Sequence, residues 1–115
     1  MTARAVREPD GVTVIEPLHV PRGPRERMRG LLGWESISDG EGMWFPKCRM
    51  IHTIGMKFAL DLVYLNKKHE VRKVVEGLRP GRLSACLGAD SVIELKSGAA
   101  KELGLRRGVK LSIVE

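Results

Sequence analysis

The stretch from Leu60 to Glu76 most narrows what this chain can fold into. Leu60–Leu65 (LDLVYL) and Val71–Glu76 (VRKVVE) are two short runs rich in branched residues, separated by the polar Asn66-Lys67-Lys68-His69. Such runs around a polar turn read as a β-hairpin. Further strand-length segments lie on both sides. Val12–Ile15 follows an Asp10-Gly11 turn, and Leu18–Val20 continues or pairs with it. Met43–Phe45 and Ser91–Leu95 are two more. In Val109–Val114 the residues Val109, Leu111 and Ile113 alternate with Lys110 and Ser112, the pattern of a half-buried strand.

Two short helices fit between these strands. Arg25–Leu32 has Pro24 for its first turn and Gly33 for its end, with Met28, Leu31 and Leu32 on one core-facing stripe. Gly30 inside it weakens a helix by about 1 kcal/mol relative to Ala, so that position should need the missing side chain. Gly98–Leu103 has Ser97 as a cap and Gly104 as a stop. Leu78–Gly88 reads as loop around a Pro80-Gly81 turn. No strand–helix–strand rhythm of a parallel sheet is present. The expectation is a mainly β, compact antiparallel barrel or sandwich of about six or seven short strands with two short helices.

The 115 residues suit one domain, and 43% hydrophobic residues suffice for an ordinary core. Residues 1–11 are expected to be a flexible tail before a single β-rich domain over 12–115. The net charge of +6 favours anionic partners. No run approaches the roughly 18 apolar residues of a membrane span, and the first residues carry no apolar secretory segment. A soluble cytoplasmic protein is expected, where Cys48 and Cys86 fit reduced thiols, with one disulfide between them as the alternative. No CxxC pair suggests a zinc knuckle, and no cofactor is expected.

The chemistry-bearing residues concentrate in Gly42–Leu65 (GMWFPKCRMIHTIGMKFALDLVYL), where Cys48, His52 and Asp61 sit in an apolar run. Buried polar groups are costly unless paired, so this stretch holds a structural network or a site. Asp61 needs a donor; Arg29 or backbone N–H groups can supply it. His52 could serve as a general base or a metal ligand, or simply orient its loop. Thr53 reads better as a backbone capper than as a nucleophile, because no Ser-His-Asp arrangement is evident. Cys48 and His52 lie four residues apart, but spacing alone does not make a nucleophile–base pair or a metal site. Glu94 could join Arg29 or face outward. Cys86 reads as an ordinary small residue.

Several blocks resemble the domain-of-unknown-function 192 family. Arg25–Gly33 (RERMRGLLG) resembles its RxxGLL-type element, and Gly42–Phe45 its GMxF strand. Ile51–Met56 followed by Asp61 resembles its central element, with His52 where many members carry Asn. Val92–Gly98 followed by Gly104-Leu105 resembles its tail, with Lys96 where Pro is usual. The resemblance spans about residues 12–114. It implies a compact, mostly antiparallel β domain and no established activity.

Charge adds a further option. Arg22, Arg25, Arg27 and Arg29 are opposed only by Glu26, and Arg106, Arg107 and Lys110 form a second basic group. They could contact nucleic acid, but stacking aromatics are few and a solvated basic surface is the simpler reading. The sequence therefore points first to a binding or accessory module for a small polar or anionic ligand or a partner protein. Its candidate ligand-binding residues are Arg29, Trp44, His52, Thr53, Asp61 and Glu94. A hydrolase-like or metal-dependent enzyme using His52, with Cys48 as the other candidate metal ligand, and a weak nucleic-acid binder are the alternatives.

Overall fold

A computed structural model describes residues 2–115. In chain order the elements are β1 (Thr2–Glu8), β2 (Val12–His19), α1 (Gly23–Arg29), β3 (Gly42–Pro46), β4 (Met50–His52) and β5 (Leu60–Leu65). There follow β6 (Val71–Leu78), β7 (Leu83–Ala85), β8 (Ser91–Lys96), α2 (Ala99–Glu102) and β9 (Lys110–Val114). Seven strands form one sheet in the order β6-β5-β8-β3-β2-β1-β9, and β4 pairs with β7 in a separate small sheet.

The mainly β class holds, with more strands than expected. Within the expected tail, residues 2–8 form β1, while Met1 lies outside the described residues. This segment pairs with both β2 and β9, and its alternate Ala3 and Ala5 are buried. Two small alanines gave too weak an apolar signal to read as a strand. β4 and β7 are three residues each, too short for a period-two pattern. The barrel is not closed: the sheet edges β6 and β9 meet at one end only, through the Glu70–Lys110 bridge and the Val71 N–H bonded to Val109 O.

The pairing is antiparallel except between β2 and β3, where Leu18 lies beside Gly42 and His19 beside Met43 in parallel register. The connection between these two strands carries α1. Pro17 lies within β2, and its ladder with β1 shifts register nearby, between the pairs Ala3–Leu18 and Ala5–Ile15. A proline has no N–H to give such a ladder. The expected β5–β6 hairpin is present, and its turn is closed by the Asn66 side chain accepting from the N–H groups of Lys68 and Glu70.

α1 is shorter than expected and lies on the surface. It ends at Arg29 rather than near Gly33, because Gly30 takes φ 48° and ψ −123°. Met28, placed on the core stripe by its spacing, is 81% exposed, whereas Leu31 beyond the helix end is buried. The missing side chain at Gly30 has a second cause: a Cβ there would stand 3.1 Å from Cζ of Phe45.

Two cores flank the sheet. One gathers Val63, Leu65, Ile93 and Leu95 with residues of β1, β2 and α2. The other gathers Leu60, Leu62, Tyr64 and Val92 with Met43, Phe45 and Leu31. All six residues of β5 and the first five of β8 are buried, so these central strands supply alternate residues to both cores.

Asp61 is fully buried on the first face. Its Oδ1 accepts from the N–H of Gly77 at 2.9 Å, and its Oδ2 accepts from those of Gly98 at 3.0 Å and Ala100 at 2.9 Å. The carboxylate, rather than Ser97, satisfies the start of α2; no local side chain caps that helix. Replacing Asp61 by Ala strands three backbone donors together. We expect Asp61→Ala to lower unfolding free energy by about 3 kcal/mol or more, read by urea denaturation. A loss under about 1 kcal/mol would show that the three bonds are expendable.

Candidate functional site

The residues in the Gly42–Leu65 stretch separate when the sheet forms. Period-two alternation sends Asp61 to the face of Val63 and Leu65, opposite Leu95 in register. Glu94 pairs with Leu62 and Met43 and projects to the other face. Asp61 and Glu94 therefore lie on opposite sides of one sheet and cannot share a ligand.

Thr53 is also committed to the fold. It is fully buried; its hydroxyl donates to Arg79 O at 2.7 Å and accepts from Arg82 N–H at 2.9 Å. Its backbone N–H bonds Arg82 O and its carbonyl accepts from Gly81 and Met56. The residue ties the turn after β4 to the turn before β7. Trp44 lies with the first core, across the sheet from Glu94, and packs edge-on to His69 with ring centroids 5.5 Å apart. Its buried Nε1 makes no hydrogen bond among the described residues.

The remaining candidates converge on a cleft of about 180 Å³. The end of α1 and the turn that follows form one wall, and Cys48 with β4 forms the other. Phe45 and Glu94 lie at its base, while Arg29 and His52 are exposed at the rim. The thioethers of Met28, Met50 and Met56 also line it. Cys48 donates its Sγ–H to Met50 O at 3.2 Å, so the thiol is engaged locally. Both cysteines are free. Among the described residues, no group of three His, Cys, Asp or Glu side chains is placed to hold a metal ion.

Glu94 is the unusual member. Its residue is 5% exposed, yet its carboxylate accepts no hydrogen bond from the described residues. Burial pushes its pKa up to about 7. The expected ion pair with Arg29 is not formed, since Arg29 has no ion-pair partner among the described residues. Its oxygens are not sealed from solvent: they reach the opening, where no protein group donates to them among the described residues. Nearby on the same side, Tyr64 donates to Ser84 Oγ at 2.9 Å, and burial raises its pKa.

Sequence reasoning reached Arg29, His52 and Glu94, but not Arg27, Phe45 and the three methionines of the cleft. The turn at Gly30 was the available signal. A glycine breaking an otherwise regular helix implied close packing above it, and Phe45 is what it packs on.

A family model, DUF192, described as an uncharacterized ACR, matches residues 6–113. A search of curated proteins finds no match. Among solved structures, a protein of unknown function from Novosphingobium aromaticivorans DSM 12444 superposes with a TM-score of 0.82 at 20% identity, covering 95% of this chain and 83% of that one. A candidate transcription regulator from Sinorhizobium meliloti 1021 superposes with a TM-score of 0.86 at 21% identity, covering 98% and 94%. At these identities the likeness is one of fold.

The Glu94 environment has a consequence for stability. A carboxyl group with a folded pKa near 7 and an unfolded value of 4.5 binds more protons when folded between those limits. Its favourable contribution is complete below about pH 4.5 and is lost as pH rises to about 7, a change of about 3 kcal/mol. The lowered Glu41 pKa works in the opposite direction, so the readout is a difference between variants. Glu94→Gln should gain stability relative to the parent on going from pH 5 to pH 8, measured by chemical denaturation. An identical pH dependence in both proteins would remove Glu94 as the titrating group.

Proposed function

Because this chain belongs to the DUF192 family, whose model covers nearly all of it and carries no activity, we propose a function from the cleft itself: a binding module for a small polar ligand. The observation that carries this reading is Glu94, a buried carboxylate without a protein donor at the base of an opening. The ligand supplies the missing donor, an ammonium, amide N–H or hydroxyl. Arg29 and His52 at the rim favour a second, anionic end on the same molecule. A cleft of about 180 Å³ is smaller than the usual range of ligand pockets, about 300–1,000 Å³, and suits a molecule of a few heavy atoms. In this reading Asp61, Thr53 and Trp44 act on the fold and not on the ligand. The protein works in the cytoplasm, which its two free thiols favour.

The enzymatic alternative would rest on His52. That residue is exposed and has no side-chain partner among the described residues to fix its ring, so the geometry favours binding over acid–base chemistry there. The nucleic-acid alternative would draw on the basic residues of α1 and on the description of the Sinorhizobium meliloti neighbour. Phe45 and Tyr64 are buried and unavailable for base stacking, which weakens it.

Amide-resolved NMR tests the binding reading with three probes of similar size: methylammonium, glycine and acetate. We expect methylammonium and glycine to shift residues 27–32, 48–56 and 94 saturably, glycine more tightly. Acetate should leave the base of the cleft unmoved, and Glu94→Ala should weaken binding about tenfold or more. Unchanged binding in Glu94→Ala, or no response to either donor, would defeat the proposal.

A further inference from the structure

A second cleft adjoins the first across Arg29 and Gly30, which border both. It has a volume of about 300 Å³ and is lined by His19, Val20, Pro21, Trp34 and Met43, with Glu26 and Arg29 at its charged edge. The parallel pairing of β2 and β3 builds it. His19 ends β2 beside Met43, which brings Glu41, just before β3, against the imidazole across 22 residues of sequence.

This histidine is held on several sides. Its Nε2 lies 2.7 Å from Glu41 Oε2, and both side chains are mostly covered, at 28% and 19% exposed. Glu41 is itself fixed: its Oε1 accepts from Ser38 N–H at 3.0 Å, and its own N–H donates to Ser38 O. Trp34 packs edge-on against the ring, with centroids 5.6 Å apart. With Nε2 engaged, Nδ1 is the ring atom left without a hydrogen bond among the described residues. A carboxylate that orients a histidine while leaving its other nitrogen free is a recurrent arrangement of functional imidazoles. His52, exposed and unsupported, has none of this. Among the described residues Arg29 has no carboxylate partner, and a guanidinium grips a planar carboxylate with two parallel bonds. Trp34, Val20 and Met43 offer an apolar wall beside these donors.

We propose that this second cleft binds a small planar carboxylate, with Arg29 on the anionic group, Nδ1 of His19 beside it and Trp34 beside the apolar part. Glu41 holds the imidazole through its Nε2. Glu26 lies at the same edge and disfavours a dianion. The two clefts share Arg29 but differ in chemistry: the Glu94 cleft takes a donor at its base, and this one takes an acceptor.

Sodium benzoate is the probe, with benzamide as its uncharged counterpart and sodium chloride to match ionic strength. By amide-resolved NMR, benzoate should shift His19, Arg29 and the Trp34 indole N–H saturably, and benzamide should not. Arg29→Ala and His19→Ala should each weaken benzoate about tenfold or more. Arg107→Ala, which removes the same charge away from this cleft, should leave it unchanged. Arg29 is exposed, so its variant remains informative if His19→Ala fails to fold. Equal shifts from benzamide, equal losses in Arg107→Ala, unaltered affinity in Arg29→Ala, or no saturable response to benzoate would each overturn the proposal. None of these outcomes depends on Glu94.

Discussion

Everything in this molecule depends on β5 and β8 being buried on both faces. A strand pleat sends alternate residues to opposite sides, so each polar residue in these strands is assigned to one core or the other with no intermediate position. Asp61 and Glu94 are one step apart in register across two hydrogen-bonded strands, yet they meet different fates. Asp61 faces the side where the start of α2 and Gly77 present three N–H groups, and the network is closed. Glu94 faces the side where the chain between β2 and β3 lies over the sheet. That side offers phenylalanine, methionine and an opening, and no donor bonds the carboxylate among the described residues. Two buried acids of the same strand pair thus serve as fastener and as candidate contact.

The distinction arises from the partner surface, which is why residue type alone did not reveal it. The hairpin of β5 and β6 and the alternation in β9 were legible because each is a local pattern with its turn attached. Asp61 was legible as a buried acid needing a donor. Which donor answered it depended on α2 and Gly77, segments 16 to 39 residues away. β1 escaped notice because Ala3 and Ala5 fill the core with little hydrophobic signal. His19 and Glu41 escaped because only the parallel register of β2 and β3 brings them together. Cys48 and His52 drew attention by spacing, and they do share the cleft, but neither has a partner that sets up chemistry.

The two clefts share a structural origin in the sharp turn at Gly30. Its positive φ ends α1 and lets the chain descend onto Phe45, where even a methyl group would press on the ring. That descent leaves an opening on each side, with Arg29 between them. A single exposed guanidinium is thereby available to both, so occupation of one cleft by an anionic group would compete for a cation that the other also uses.

The pairing of β1 with β9 bears on the order in which the chain can assemble. Ser112 Oγ donates to Glu8 Oε2 across 104 residues, and the two strands run together over five register pairs. During synthesis the outer edge of β1 therefore lacks this partner until β9 leaves the ribosome. Contacts so distant in sequence form slowly, and an unpaired strand edge is a template for other chains. Arg4, Arg7 and Glu8 put charged side chains along this strand, a feature that disfavours pairing of such an edge with other chains.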